Sequence, residues 1–105
     1  MTTIVAEDDC TIKTMAPNAG VTMIQVVTDD DVVGGTDDVT VDLSVYGCTN
    51  VHAVMVSDET TTGSVCVNQD PTATSVSSST LTVDLGGSDT GVKTILIWAY
   101  WFVLI

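Results

Sequence analysis

The chain has 105 residues, 45% of them hydrophobic, and carries 14 acidic residues against two basic ones, Lys13 and Lys93, for a formal net charge of −12. That length suits one domain with a modest core, so a single domain over 1–105 is expected, and the apolar content excludes general disorder. The charge excludes nucleic acid as a partner, because two lysines against 14 acidic residues leave no cationic patch to displace phosphate counterions, and it disfavours an anionic membrane surface.

In chain order, period-two alternation predicts strands at 2–6, 10–15, 21–28, 39–43, 50–57, 63–68, 73–77, 80–85 and 92–103. Val39-Thr40-Val41-Asp42-Leu43 and Leu81-Thr82-Val83-Asp84-Leu85 show the pattern most clearly, as does Ser64-Val65-Cys66-Val67-Asn68. The abundance of Val and Thr agrees, since β-branched side chains fit strands better than helices. Turn chemistry separates the strands: Pro17-Asn18-Ala19-Gly20, a long acidic loop from Asp29 to Asp38, Thr60-Thr61-Thr62-Gly63, Asp70-Pro71, a hairpin turn at Ser77-Ser78-Ser79, and Gly86-Gly87-Ser88-Asp89. About eight or nine short strands at this spacing predict an all-β fold, a single-domain antiparallel β-sandwich of jelly-roll-like form. A faint echo links Val41-Asp42-Leu43 and the run 49–56 to Val83-Asp84-Leu85 and the run 90–97. Two ordinary β-hairpins that look alike are the expected reading, with a duplicated unit as the competing one.

The charge also speaks to habitat. A chain with two Lys, no Arg and abundant Asp repels itself in dilute buffer. At molar salt the Debye length is roughly 3 Å and the repulsion largely vanishes. A halophilic source is therefore expected. No basic region precedes an apolar run at the start, so no secretory signal is expected.

Candidate chemistry is sparse. Cys10, Cys48 and Cys66 form no CxxC pair; free thiols are expected, with Cys48 and Cys66 the one pair worth testing for a disulfide. His52 lies four residues after Cys48, but no oxyanion motif accompanies it, and a partly exposed strand histidine is the expectation. Asp29, Asp30, Asp31, Asp37 and Asp38 are candidate ligands for a hard cation such as Ca²⁺. EF-hand spacing is absent, and consecutive carboxylates point different ways, so a hydrated acidic loop is the competing reading. Aromatics are only 5% of the chain, which argues against a sugar-cleaving site built on paired carboxylates. No enzyme activity and no cofactor are expected.

The segment "KTILIWAYWFVLI" raises the sharpest question. It is too short for a membrane-spanning helix and lacks the apolar–polar alternation of a membrane barrel strand. Both alternating sets are apolar, as in a strand covered on both faces. One face would complete the sandwich. The other, read as Trp98, Tyr100, Phe102 and Leu104 with Trp101 beside them, is expected to form an oligomer or assembly interface. The competing reading is a central strand wholly inside the protomer core.

The stretches "VTVDLSVYGCTNVHAVMV", "GSVCVN" and "LTVDLGGSDTGVKTILIWAYW" resemble the small all-β structural proteins of tailed-virus particles, the decoration and minor capsid proteins. The resemblance spans roughly residues 39–101 and lies in strand style; "MAPNAG" and "DDDVVGG" fall outside it. With the charge, it implies a virus of a halophilic archaeon. It implies a virion location at the capsid surface, self-association into a homo-oligomer, contact with other virion proteins such as a major capsid protein, and no active site. The alternatives are a tail or head–tail connector protein, a cell-surface or secreted halophilic binding module, and, last, a small enzyme.

Overall fold

The structure, a computed structural model, describes residues 3–15, 21–29, 31–59, 66–87 and 90–100. In chain order these form β1 Thr3–Val5, a single helical turn α1 Ala6–Asp9, β2 Thr11–Thr14, β3 Thr22–Val27, β4 Val32–Val33, β5 Asp38–Asp42, a 3-10 turn Leu43–Tyr46, β6 Asn50–Glu59, β7 Cys66–Asn68, β8 Ala73–Ser77, β9 Thr80–Asp84, β10 Thr90–Gly91 and β11 Lys93–Tyr100.

The strands assemble into an all-β sandwich. One sheet has the order β1-β5-β9-β8 and the other β2-β3-β11-β6-β7, while β4 and β10 form a two-stranded ribbon. Pairing is antiparallel except between β1 and β5, which run parallel. This is one departure from the fully antiparallel arrangement expected. The turn α1 lies between β1 and β2, which belong to different sheets. Its three carboxylates stay in solvent and only Ala6 is buried.

The core forms where the alternating sets meet. Val39 and Val41 of β5 and Leu81 and Val83 of β9 face Ile24 and Val26 of β3, Val56 of β6 and Ile95, Ile97 and Ala99 of β11. Each is buried, and burying a Val, Leu or Ile side chain contributes about 1.5–3 kcal/mol. The echo in the sequence has a different form from the hairpins expected. Each of its two units crosses between the sheets: β5 leads to β6 and β9 leads to β11, with β5 paired to β9 and β6 paired to β11.

Local chemistry fixes the connections. After β5, the Asp42 carboxylate accepts from the Ser44 N–H at 3.0 Å and from its hydroxyl at 2.6 Å, which starts the 3-10 turn. The β8–β9 hairpin turns through Ser78 and Ser79 at φ 51° and 63°. Two positive φ values make it a type I′ turn, which matches strand twist but suits Asn and Gly far better than Ser. The Ser79 carbonyl accepts from the Leu43 N–H at 2.8 Å, which helps hold the turn. Replacing Ser78 by Asn and Ser79 by Gly together is expected to raise stability by about 1–2 kcal/mol, read as a higher urea midpoint at unchanged m-value.

Candidate assembly surface and acidic cavity

Strand β11 is the centre of the five-stranded sheet. Its burial alternates along its whole length. Lys93, Ile95, Ile97 and Ala99 point into the core, while Thr94, Leu96, Trp98 and Tyr100 are half-buried on the outer face. Strand register places neighbours beside them. Trp98 lies between Met23 of β3 and Ala53 of β6, and Leu96 lies between Gln25 and Met55. Beyond Met23, the Met15 N–H donates to the Met23 carbonyl, continuing the band onto the end of β2. Met15 is 62% exposed and Met55 45%.

A bulge completes this face. Trp98 pairs with Ala53 but Ala99 pairs with Val51, so His52 is the extra residue on β6. The bulge lets Val51 and Val54 both pack against the core although they are three apart. It also leaves His52 exposed, stacked on Tyr100 with ring centroids 4.2 Å apart. The stacking anchors the tyrosine at the edge of the apolar band.

On β2, β3 and β11 the outer face carries no carboxylate, and the one charge on those three strands is Lys13. The outer face of the other sheet is its opposite: Asp38, Thr40, Asp42, Thr82 and Asp84 lie out of phase with the core residues of β5 and β9. Of the interface residues expected from sequence, Trp98 and Tyr100 lie on the outer face; Trp101, Phe102 and Leu104 lie outside the described residues.

The acidic residues divide. Asp29, Asp31 and Asp37 join Asp9, Ile4 and Val32 around a cavity of about 260 Å³. Asp37 is committed locally, accepting from the Val33 N–H at 2.9 Å. Asp38 is not part of that lining; it is buried on β5 opposite Asp84, and its Oδ1 has no hydrogen-bond partner among the described residues. Asp30 lies outside the described residues. Among the described residues no three acidic, His or Cys side chains converge closely enough to hold a metal ion.

Cys10 and Cys48 are free thiols. Burial, and then the carboxylates of Asp9, Asp29 and Glu7, push the Cys10 thiol up to about 11. At about pH 8 its thiolate fraction falls roughly 100-fold below that of an ordinary cysteine, offset in part by greater intrinsic nucleophilicity. Alkylation of Cys10 by iodoacetamide is therefore expected to run about tenfold slower than for free cysteine. Molar salt should restore only part of the rate, because burial is the larger cause.

One pair went unread in the sequence. The Lys93 ammonium lies 3.0 Å from Asp58 Oδ1, with both side chains in the interior. Lys93 and Asp58 are cross-strand partners on β11 and β6. The loop after β9 closes over them: a Cβ on Gly87 would stand 3.3 Å from Asp58 Oδ2, and one on Gly35 would stand 2.5 Å from the Gly87 carbonyl oxygen. Both glycines also need positive φ, at 78° and 82°. The signal was the phase of Lys93, which alternates with Ile95 and Ile97.

Among the described residues no helix is long and apolar enough to cross a membrane. Comparison with protein-family models, curated proteins and solved structures finds no match.

Proposed function

We propose that this chain is a virion structural protein, a capsid decoration, cement or minor capsid subunit that self-associates and stabilises a particle in high salt. The observation that carries the reading is the outer face of the five-stranded sheet. A chain of net charge −12 keeps carboxylates off β2, β3 and β11 and presents Met15, Met23, Leu96, Trp98 and Tyr100 there. Apolar area of that kind on an isolated subunit is a contact surface, and Trp and Tyr are the usual anchors of such contacts. The charge supports the setting: acidic faces turned to brine are screened, and buried apolar area is strengthened by salt that is excluded from protein surfaces. The strand style shared with tailed-virus structural proteins supports a place on the capsid, beside a major capsid protein. A tail or head–tail connector position would use the same surface.

Sedimentation equilibrium of the isolated chain in molar KCl tests the reading. A discrete oligomer is expected. A monomer at every concentration would remove its basis.

A second reading rests on the acid-lined cavity at Asp9, Asp29, Asp31 and Asp37, whose carboxylates do not chelate an ion among themselves and would hold a hydrated one. In it the chain is a cell-surface or secreted halophilic module that binds a hard cation. A rise in melting temperature with Ca²⁺ at constant ionic strength, abolished by Asp29→Asn with Asp31→Asn, would favour this second reading.

A further inference from the structure

An outer-face contact between two copies is isologous and closes on itself, so it makes a dimer and stops. A shell or patch of many copies needs a second, different contact. One edge of the four-stranded sheet, which has no partner strand among the described residues, supplies one. Strand β8 ends the sheet order, and all five of its residues are exposed. Edge strands are ordinarily protected by Lys, Pro, a bulge or an inward charge. Ala73-Thr74-Ser75-Val76-Ser77 has none of these, and no charged residue occurs from Pro71 to Val83. By contrast, β2, one edge of the other sheet, carries Lys13.

The edge also stands beside an opening. A groove of about 380 Å³ runs between Val51, His52, Ala53 and Val54 of β6 and Thr74, Ser75 and Val76 of β8, with Leu81 in its lining. Four consecutive residues on one wall and three on the other mean that strand edges, not strand faces, form it. Among the described residues β7 pairs with β6 only at Ser57, Asp58 and Glu59, so the β6 edge at Val51–Val54 is open on this side as well.

We infer that β8 pairs antiparallel with β8 of a second copy, joining two four-stranded sheets edge to edge. The inference rests on the assembly reading above and gives it its second contact. The partner is a second copy because the strand is self-complementary about Ser75. Ser75 meets Ser75, Thr74 meets Val76, and Ala73 meets Ser77; no charge opposes a charge and no bulky pair collides. A carboxylate-bearing strand, the common kind in this chain, would bring charge into the groove. The backbone is in phase for it. The type I′ turn at Ser78 and Ser79 makes Ser77 and Thr80 a hydrogen-bonded pair, so Ser75 also bonds toward β9, while the N–H and C=O of Thr74 and Val76 point to the free side. Thr74 of each copy then donates to and accepts from Val76 of the other. The inward-facing Thr74 and Val76 cover the mouth of the groove above Leu81.

The register makes the test specific. Ser75 from the two copies would form a non-hydrogen-bonded pair with Cβ atoms about 4.5–5.5 Å apart, close enough for a disulfide. Ser75→Cys, oxidised in molar KCl, is expected to give a covalent dimer on non-reducing gels. Ala73→Cys alone should not exceed the parent chain with its own cysteines, whereas Ala73→Cys with Ser77→Cys should link. Equal linking by all variants, or none by Ser75→Cys in a sample that sediments as an oligomer, would overturn the edge contact and leave the sheet-face contact standing. A wild-type chain that sediments only as a monomer would instead remove the assembly reading itself. Ser75→Lys gives a second measure: it should reduce the largest species to a dimer that still depends on Trp98, with the circular dichroism spectrum of the parent.

Discussion

Lys93→Met is expected to destabilise the fold by about 3–5 kcal/mol, because it strands a buried carboxylate. The Lys93 ammonium and the Asp58 carboxylate are 0% and 3% exposed and 3.0 Å apart, at the junction of the two central strands of the five-stranded sheet. Removing Lys93 leaves the Asp58 carboxylate charged in the interior with its ion pair gone. Removing both is different. Lys93→Met with Asp58→Leu replaces two desolvated charges by side chains that pack, and most of the loss should return. Urea unfolding in molar KCl reads the effect free of the repulsion among exposed carboxylates. A loss below about 1 kcal/mol for the single variant, or a double variant no better than the single, would mean that the pair is hydrated and not part of the core.

Trp98→Asp should separate assembly from folding. Trp98 is half-buried at the middle of the outer face, flanked by Met23 and Ala53. A carboxylate there meets its copy across an isologous contact, so the dissociation constant is expected to rise by about 100-fold or more, as for an interface hot spot. Folding should survive, since the side chain is not in the core. Ile97→Ala is the counterpart. Ile97 is the adjacent residue on the opposite face and fully buried, so it should lose about 2–5 kcal/mol of stability and keep its tendency to associate below the unfolding temperature. Sedimentation and urea unfolding of both variants give the answer. If Trp98→Asp unfolds the chain and Ile97→Ala disperses it, the faces have been assigned the wrong way round.

Much of this architecture is legible in the sequence because period two is a strong signal wherever apolar and polar residues alternate. Val39 to Leu43 and Leu81 to Leu85 read directly as core-lining strands, and the hairpin turn was visible in Ser78-Ser79. The signal fails where alternation is silent. In Ile95 to Tyr100 both sets are apolar, so the pattern cannot say which set faces inward; that is decided by Ile24, Val26 and Val56 on the flanking strands, which offer a core to Ile95 and Ile97. The outer set then holds Trp98 and Tyr100. Strands as short as Val32–Val33 and Thr90–Gly91 are too brief to show a period, and lie in stretches rich in Asp and Gly. The turn α1 falls between the strands expected at 2–6 and 10–15, in a stretch too short to show a helical period.

The candidate sites were legible only in part for the same reason. Adjacency to Asp37 places Asp38 in the acidic loop, but its phase against Val39 and Val41 puts it on a strand, facing away from the core and opposite Asp84. Lys93 marks the start of the apolar run, and its phase with Ile95 and Ile97 places it inside. Asp58 sits in phase with Val56 in the same way. Reading the phase of each charged residue against its apolar neighbours would have found the pair. The His52 bulge carried no such sign, since it depends on register between β6 and β11.

The outer face of the five-stranded sheet, free of carboxylates on β2, β3 and β11, is the surface proposed to assemble. Met15, Met23 and Met55 lie on that face and report on it directly, because hydrogen peroxide converts an accessible methionine to its sulfoxide and a covered one far more slowly. Oxidation of the wild-type chain in molar KCl, followed by mass spectrometry of each methionine, should show all three protected at concentrations where the oligomer forms and exposed together on dilution. Oxidation rates at Met15, Met23 and Met55 that stay the same whether or not the oligomer is present would contradict the account.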